Sequence, residues 1–156
     1  MPQPNEQNPF EGYNILDRIA GIPLGTAISS PLDSLMHLSY TDTIPQRITR
    51  ERPRLYDELG GRVDRNQIDM MTNFMGAYDW MARMGDDPQN AIEAAKSYQY
   101  KSYADRPQDS IMDFYENKAG INAFDPSVGR VDDATLIDMA ERYALDRIKA
   151  SNSQEK

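Results

Sequence analysis

The chain has 156 residues, carries a formal net charge of −8 with a pI near 4.6, and contains no cysteine. That length supports one domain with its own core rather than two. The acidity argues against direct binding to a phosphate backbone, which requires a basic face, and the missing thiols exclude a disulfide framework, a thiolate metal site and a cysteine nucleophile.

Nothing in the sequence has the basic, apolar and small-residue order of a secretion signal, and no apolar run approaches the roughly 18 to 20 residues needed to span a bilayer. The expectation is an acidic chain without a secretion signal or membrane span.

Residues 1–9 are rich in Pro, Asn and Gln and read as a flexible arm with nothing to bury. Residues 10–63 read as an N-terminal region of short helices and extended segments. Phe10, Tyr13, Ile15, Leu16 and Ile19 can line one side of a brief helix that closes at Gly21. The stretch from Ile22 to Ile28 is apolar but interrupted by Pro23 and Gly25, so it reads as an extended segment lying on the body or on a partner. Ile22, Leu24 and Ile28 are its partner-binding candidates.

Ser30-Pro31-Leu32-Asp33 has the order of a helix start: a serine cap, a proline in the first turn, and a carboxylate where the helix dipole favours one. This spacing predicts a helix to about Ser39. It carries His37, the single histidine, which reads as surface or interface decoration rather than a catalytic base. From Tyr40 to Arg54 polar, proline and basic residues alternate, and a solvated connector is predicted. Its arginines, including Arg47, Arg50 and Arg52, can make salt links to the acidic body or serve a partner. Residues 54–58 can add one further turn before Gly60-Gly61.

Residues 64–150 read as the helical body. Asp64 with Gln67 gives an approximate capping box, and Gly85 closes the helix that follows. Ile68, Met71, Met75, Tyr78 and Ala82 make its buried stripe, while Phe74, Trp80 and Met81 widen the apolar surface to more than one side. Asp87-Pro88 opens a second helix, reaching about Tyr103, with Ile92, Ala95 and either Tyr98 or Gln99 directed inward. Tyr98, Tyr100 and Tyr103 fit a core edge with hydrogen bonds at its rim, or a stacking surface. Asp105-Arg-Pro107 opens a third helix, predicted to close at Gly120.

Asp69 and Asn73 are four residues apart, as are Asp113 and Asn117, so each pair projects from one helix face. If the faces meet, the four residues form a polar cluster that serves as a structural hydrogen-bond network or as an oxygen site for a hard cation. No cofactor is expected, and beyond these residues only Glu93 is drawn into a metal-assisted reading.

The pattern Asp69-x-x-x-Asn73, Gly85, an alanine-rich helix and Met112-Asp113-x-x-x-Asn117-x-x-Gly120 resembles an uncharacterised family of bacterial and bacteriophage α-helical domains. The resemblance covers about residues 64–124. In that family the first helix carries Asp-x-x-x-His and the second ends near His-Glu. Here Asn73 stands at the first histidine's position, and no His-Glu pair occurs near Gln99 to Lys101. The resemblance implies a helical fold, a phage-like origin, a place in the virion or the host cytoplasm, and a chain lacking the family's histidine equipment.

Asp132 is predicted to cap a last helix to about Ala150, with Leu136, Met139, Ala140, Tyr143 and either Leu145 or Ile148 inward, and residues 151–156 to form a flexible tail. The fold expected is all-α, a small bundle of about four main helices with an extended N-terminal region. The function expected is a non-enzymatic structural or interaction protein, a phage accessory or virion component that meets a protein partner or its own copies. Two alternatives stand beside it: a metal-assisted hydrolase-like domain using Asp69, Glu93, Asp113 and Asn117, and an acidic inhibitor of a basic nucleic-acid-binding protein.

Overall fold

The structure, a computed structural model, describes residues 6–13, 31–53 and 65–154. Ile22, Leu24 and Ile28, the turn at 54–58, the Asp64 cap and the first and last residues lie outside them. Among the described residues there are five α-helices and no strand: α1 (Pro31–Glu51), α2 (Arg65–Met84), α3 (Pro88–Tyr103), α4 (Pro107–Ala123) and α5 (Asp133–Gln154). None is long and apolar enough to cross a membrane. The central helix is α2, which packs on α1, α4 and α5, while α3 lies against α4.

The first helix corrects the sequence reading. The predicted connector from Tyr40 onward continues α1 through Glu51, with Pro45 inside it. A proline there removes one backbone donor and crowds the preceding turn. The helix survives because Tyr40, Ile44 and Ile48 recur every fourth residue and are all buried, the two isoleucines completely, against α2 and α5. Pro45 itself points to solvent.

In α2 the buried residues include Ile68, Met71, Met75 and Tyr78 on one stripe and Phe74 and Met81 beyond it, as a helix with neighbours on several sides requires. Gly85, with φ of 61°, closes it. The α3 start is capped by Asp87, whose carboxylate accepts from the amides of Gln89 at 2.9 Å and Asn90 at 3.2 Å. Asp132 does the same for α5 through Thr135 N at 2.8 Å.

Gly120 does not end α4, which runs on to Ala123. A Cβ there would overlap the Phe74 carbonyl oxygen and lie 2.9 Å from its carbon. The glycine therefore lets the α4 and α2 backbones touch. Likewise α5 continues past Ala150 to Gln154, burying Leu136, Ile137, Ala140 and Ala144 in the main core.

Residues 6–9, expected to belong to a free arm, are anchored. Glu6 pairs with the buried Arg147, Asn8 Nδ2 donates to Tyr103 Oη at 2.7 Å, and Tyr115 Oη donates to the Gln7 carbonyl at 2.6 Å. Phe10, 3% exposed, then enters a cluster with Tyr13, Tyr100, Tyr103 and Phe114. Residues 9–12 make turns where the predicted helix would begin, and the rest of that helix, with Ile15, Leu16, Ile19 and Gly21, lies outside the described residues. An arm poor in apolar residues is held here by hydrogen bonds and one aromatic plug.

Candidate functional site

Three features of the bundle carry chemistry. The first is a polar cleft of about 320 Å³ between α2 and α4, lined by Asp69, Asn73, Arg106, Asp109, Asp113 and Glu116. The four-residue spacing brings Asn73 opposite α4, where its Nδ2 donates to Asp113 Oδ1 at 3.1 Å and to Glu116 Oε1 at 3.0 Å. Asp69 opens onto the cleft from an exposed position. Asn117 does not join it; it lines a different cavity on the neighbouring side of α4. Glu93 is also elsewhere, accepting from Gln89 Nε2 on α3 at 3.3 Å.

Sequence reasoning missed Glu116, although it lies one turn from Asp113 on the same face. It is only 2% exposed. Burial pushes its carboxyl up to about 7, with the Asn73 hydrogen bond pulling down and the neighbouring Asp113 pushing up. Burial raises Asp113 as well, against the pull of Arg106. The arrangement can keep a proton on the buried Glu116 carboxyl, which the Asn73 amide bridges to Asp113. Among the described residues no group of three or more His, Cys, Asp or Glu is arranged to hold a metal ion.

The second feature is a buried charge network that the sequence did not reveal. Asp79 on α2 is fully buried, with Oδ2 2.8 Å from His37 Nδ1 and 3.1 Å from Arg83 Nε. Arg83 Nη2 reaches Oδ1 at 2.9 Å, and Arg130 donates to the same oxygen. Burial would raise this carboxyl, but the hydrogen bonds from His37, Arg83 and Arg130 outweigh it and hold it at about 2. His37 is thus an anchor between α1 and α2 rather than surface decoration, its ring edge-on to Trp80 at 5.2 Å. Beside it Tyr40 lies under the guanidiniums of Arg47, Arg83 and Arg130 at 4.8, 5.7 and 4.9 Å.

Two of the three arginines considered for a partner are engaged within the chain. Arg47 Nη1 meets Asp133 Oδ2 at 2.5 Å, and Arg52 pairs with Glu141 at 2.7 Å and with Asp138. Arg50 is exposed in the last turn of α1.

The third feature is a mostly apolar trough of about 560 Å³ between α1, α2, α3 and α4, lined by Ala77, Ala91, Ala95, Trp80, Ile121 and Leu38 among others. The buried Thr72 Oγ1, which has no hydrogen-bond partner among the described residues, belongs to a residue on its lining. Alongside it Leu32, Leu35, Met36 and Leu38 are 68, 63, 46 and 59% exposed. None of residues 32–39 is fully buried; Asp33, Ser34 and above all His37 turn toward the body, while Leu32, Leu35, Met36 and Leu38 form an outward-facing apolar overhang. Of the three tyrosines, Tyr100 and Tyr103 stack with each other within the Phe10 cluster, and Tyr98 remains exposed beside Lys101.

Comparison with protein-family models gives no match for the chain, and neither the curated proteins nor the solved structures give one.

Proposed function

We propose that the chain is a non-enzymatic interaction or structural protein, of the accessory or virion kind that the Asp-x-x-x-Asn-x-x-Gly resemblance implies. The observation that carries this reading is the apolar overhang of α1 beside an apolar trough. Exposed leucines scattered singly are ordinary, but four large apolar side chains within seven residues next to a concave apolar surface mark a place where another surface is received. Two of the three arginines that could have offered a charged interface, Arg47 and Arg52, are spent on α5 instead. Side-by-side enrichment from the native setting, using the chain and a Leu35→Glu, Leu38→Glu variant, tests the reading. Proteins retained by the first and lost by the second are expected; identical recoveries would remove the overhang from any interaction.

One observation favours the hydrolase-like alternative: Glu116 and Asp113 share a cleft in which one carboxyl is held near neutrality, as general acid–base chemistry requires. A cation-dependent rise in the melting temperature that disappears in Asp113→Ala would move the choice to that reading.

A further inference from the structure

The chain carries two halves of one contact. One is an exposed apolar face, that of Leu32, Leu35, Met36 and Leu38 on the first two turns of α1; the other is the mostly apolar trough. They are continuous, because Leu38 belongs to both. From these we infer that the trough receives the α1 overhang of a second copy, reciprocally, in a two-fold dimer. The inference rests on the interaction reading and names its partner.

Self-complementarity on adjacent surfaces is what a closed two-fold contact needs, since each copy must give and receive the same patch. The small residues lining the trough admit large side chains: Leu32, Leu35 and Met36 follow the i, i+3, i+4 spacing by which a helix fills an apolar groove. Reciprocity makes the contact twice, which brings a short helix end toward the about 800 Å² per partner of a stable interface.

Charge selects the second copy over other occupants. Each copy carries −8, so copies repel unless they meet through a surface free of carboxylates. The trough lining contains no Asp or Glu, and its charged members are limited to Lys101 and, when protonated, His37. On the overhang the exposed residues are Leu32, Leu35, Met36, Leu38 and Ser39, while Asp33 is turned partly inward. A basic partner, which the net charge would attract, finds no carboxylate on the trough lining and only the half-buried Asp33 on the overhang. Association should therefore strengthen as salt rises, because screening removes repulsion and leaves the apolar contact.

Sedimentation equilibrium of the purified full chain at low and high salt tests this, together with Leu35→Glu, which spoils the overhang, and Ala94→Glu, which puts a carboxylate on the trough lining. Wild type should be dimeric, more so at high salt. Each variant should dissociate at least about tenfold more readily, because an unpaired charge enters an apolar contact, with helical circular dichroism unchanged. Mixing the two variants should partly restore association, since the intact overhang of one meets the intact trough of the other. A monomeric wild type, or a dimer that either variant leaves unchanged, overturns the inference. A monomer destabilised by Ala94→Glu would give the trough to residues 14–30 of the same chain and overturn the inference. A monomer that still retains native proteins through Leu35 and Leu38 would refute the second copy and leave the proposed function standing.

Discussion

The guanidinium of Arg147, 5% exposed near the end of α5, is clasped by both carboxylate oxygens of Glu6, 141 residues earlier in the chain. Tyr143 Oη adds a third contact at 3.1 Å. Burial disfavours the charged guanidinium, and Glu6 counters it directly.

This pair makes the N-terminal segment part of the body. Glu6→Ala should destabilise the protein by about 3 to 5 kcal/mol, the usual cost of removing one partner of a buried ion pair. Deleting residues 1–9 should cost at least as much, because it also removes the Asn8 and Gln7 contacts to Tyr103 and Tyr115. Chemical denaturation measures both; an unchanged midpoint after deletion would show that the segment contributes nothing.

Gly120→Ala should also destabilise, even though alanine is the better helix former by about 1 kcal/mol. The new methyl group would meet the Phe74 backbone, which cannot swing aside as a side chain can. The expected loss is about 1 to 3 kcal/mol in thermal unfolding, the range for overpacking. A stabilised variant would mean that α2 and α4 separate freely.

How much of this was legible depended on whether the cause was local. Asp87-Pro88, Gly85 and Asp132 announce helix ends because their partners lie within four residues. Tertiary burial overrode local signals elsewhere: Pro45 and its polar neighbours hid a helix whose reason is the burial of Ile44 and Ile48. Gly120 reads as a helix end in the sequence because the backbone it admits belongs to another helix. Asp79 and Glu116 resemble any acidic residue on a polar helix face until Arg130 and Asn73 are brought to them. For Glu6 and Arg147, separation in sequence left no signal.

Removing the centre of the second network has a predictable cost and pH signature. Asp79→Asn should lose about 3 to 5 kcal/mol, because Arg83, Arg130 and His37 keep their donors around a site without its charge. In the wild type the folded carboxyl titrates at about 2 against 3.8 for an ordinary one. Its stabilisation is thus complete above 3.8 and is lost as pH falls through about 2, a change on the order of 2 kcal/mol. Acid unfolding followed by circular dichroism should show this loss in wild type only.

Glu116 has the opposite sign. Its carboxyl titrates near 4.5 in an ordinary setting and at about 7 in the fold. Between those values the folded chain holds a proton that the unfolded chain has released, so stability falls as pH rises, by on the order of 3 kcal/mol across the window. Above about 7 the penalty is complete, with a buried carboxylate relying on the Asn73 amide and the more distant charge of Arg147. Glu116→Gln keeps an oxygen for Asn73 to donate to while abolishing the charge. It should therefore match the wild type near pH 4.5, exceed it at pH 8, and flatten the slope between them. Urea denaturation at half-unit pH intervals would measure the difference. A slope that persists unchanged in Glu116→Gln would place the titrating proton elsewhere, with Asp113 the first group to substitute.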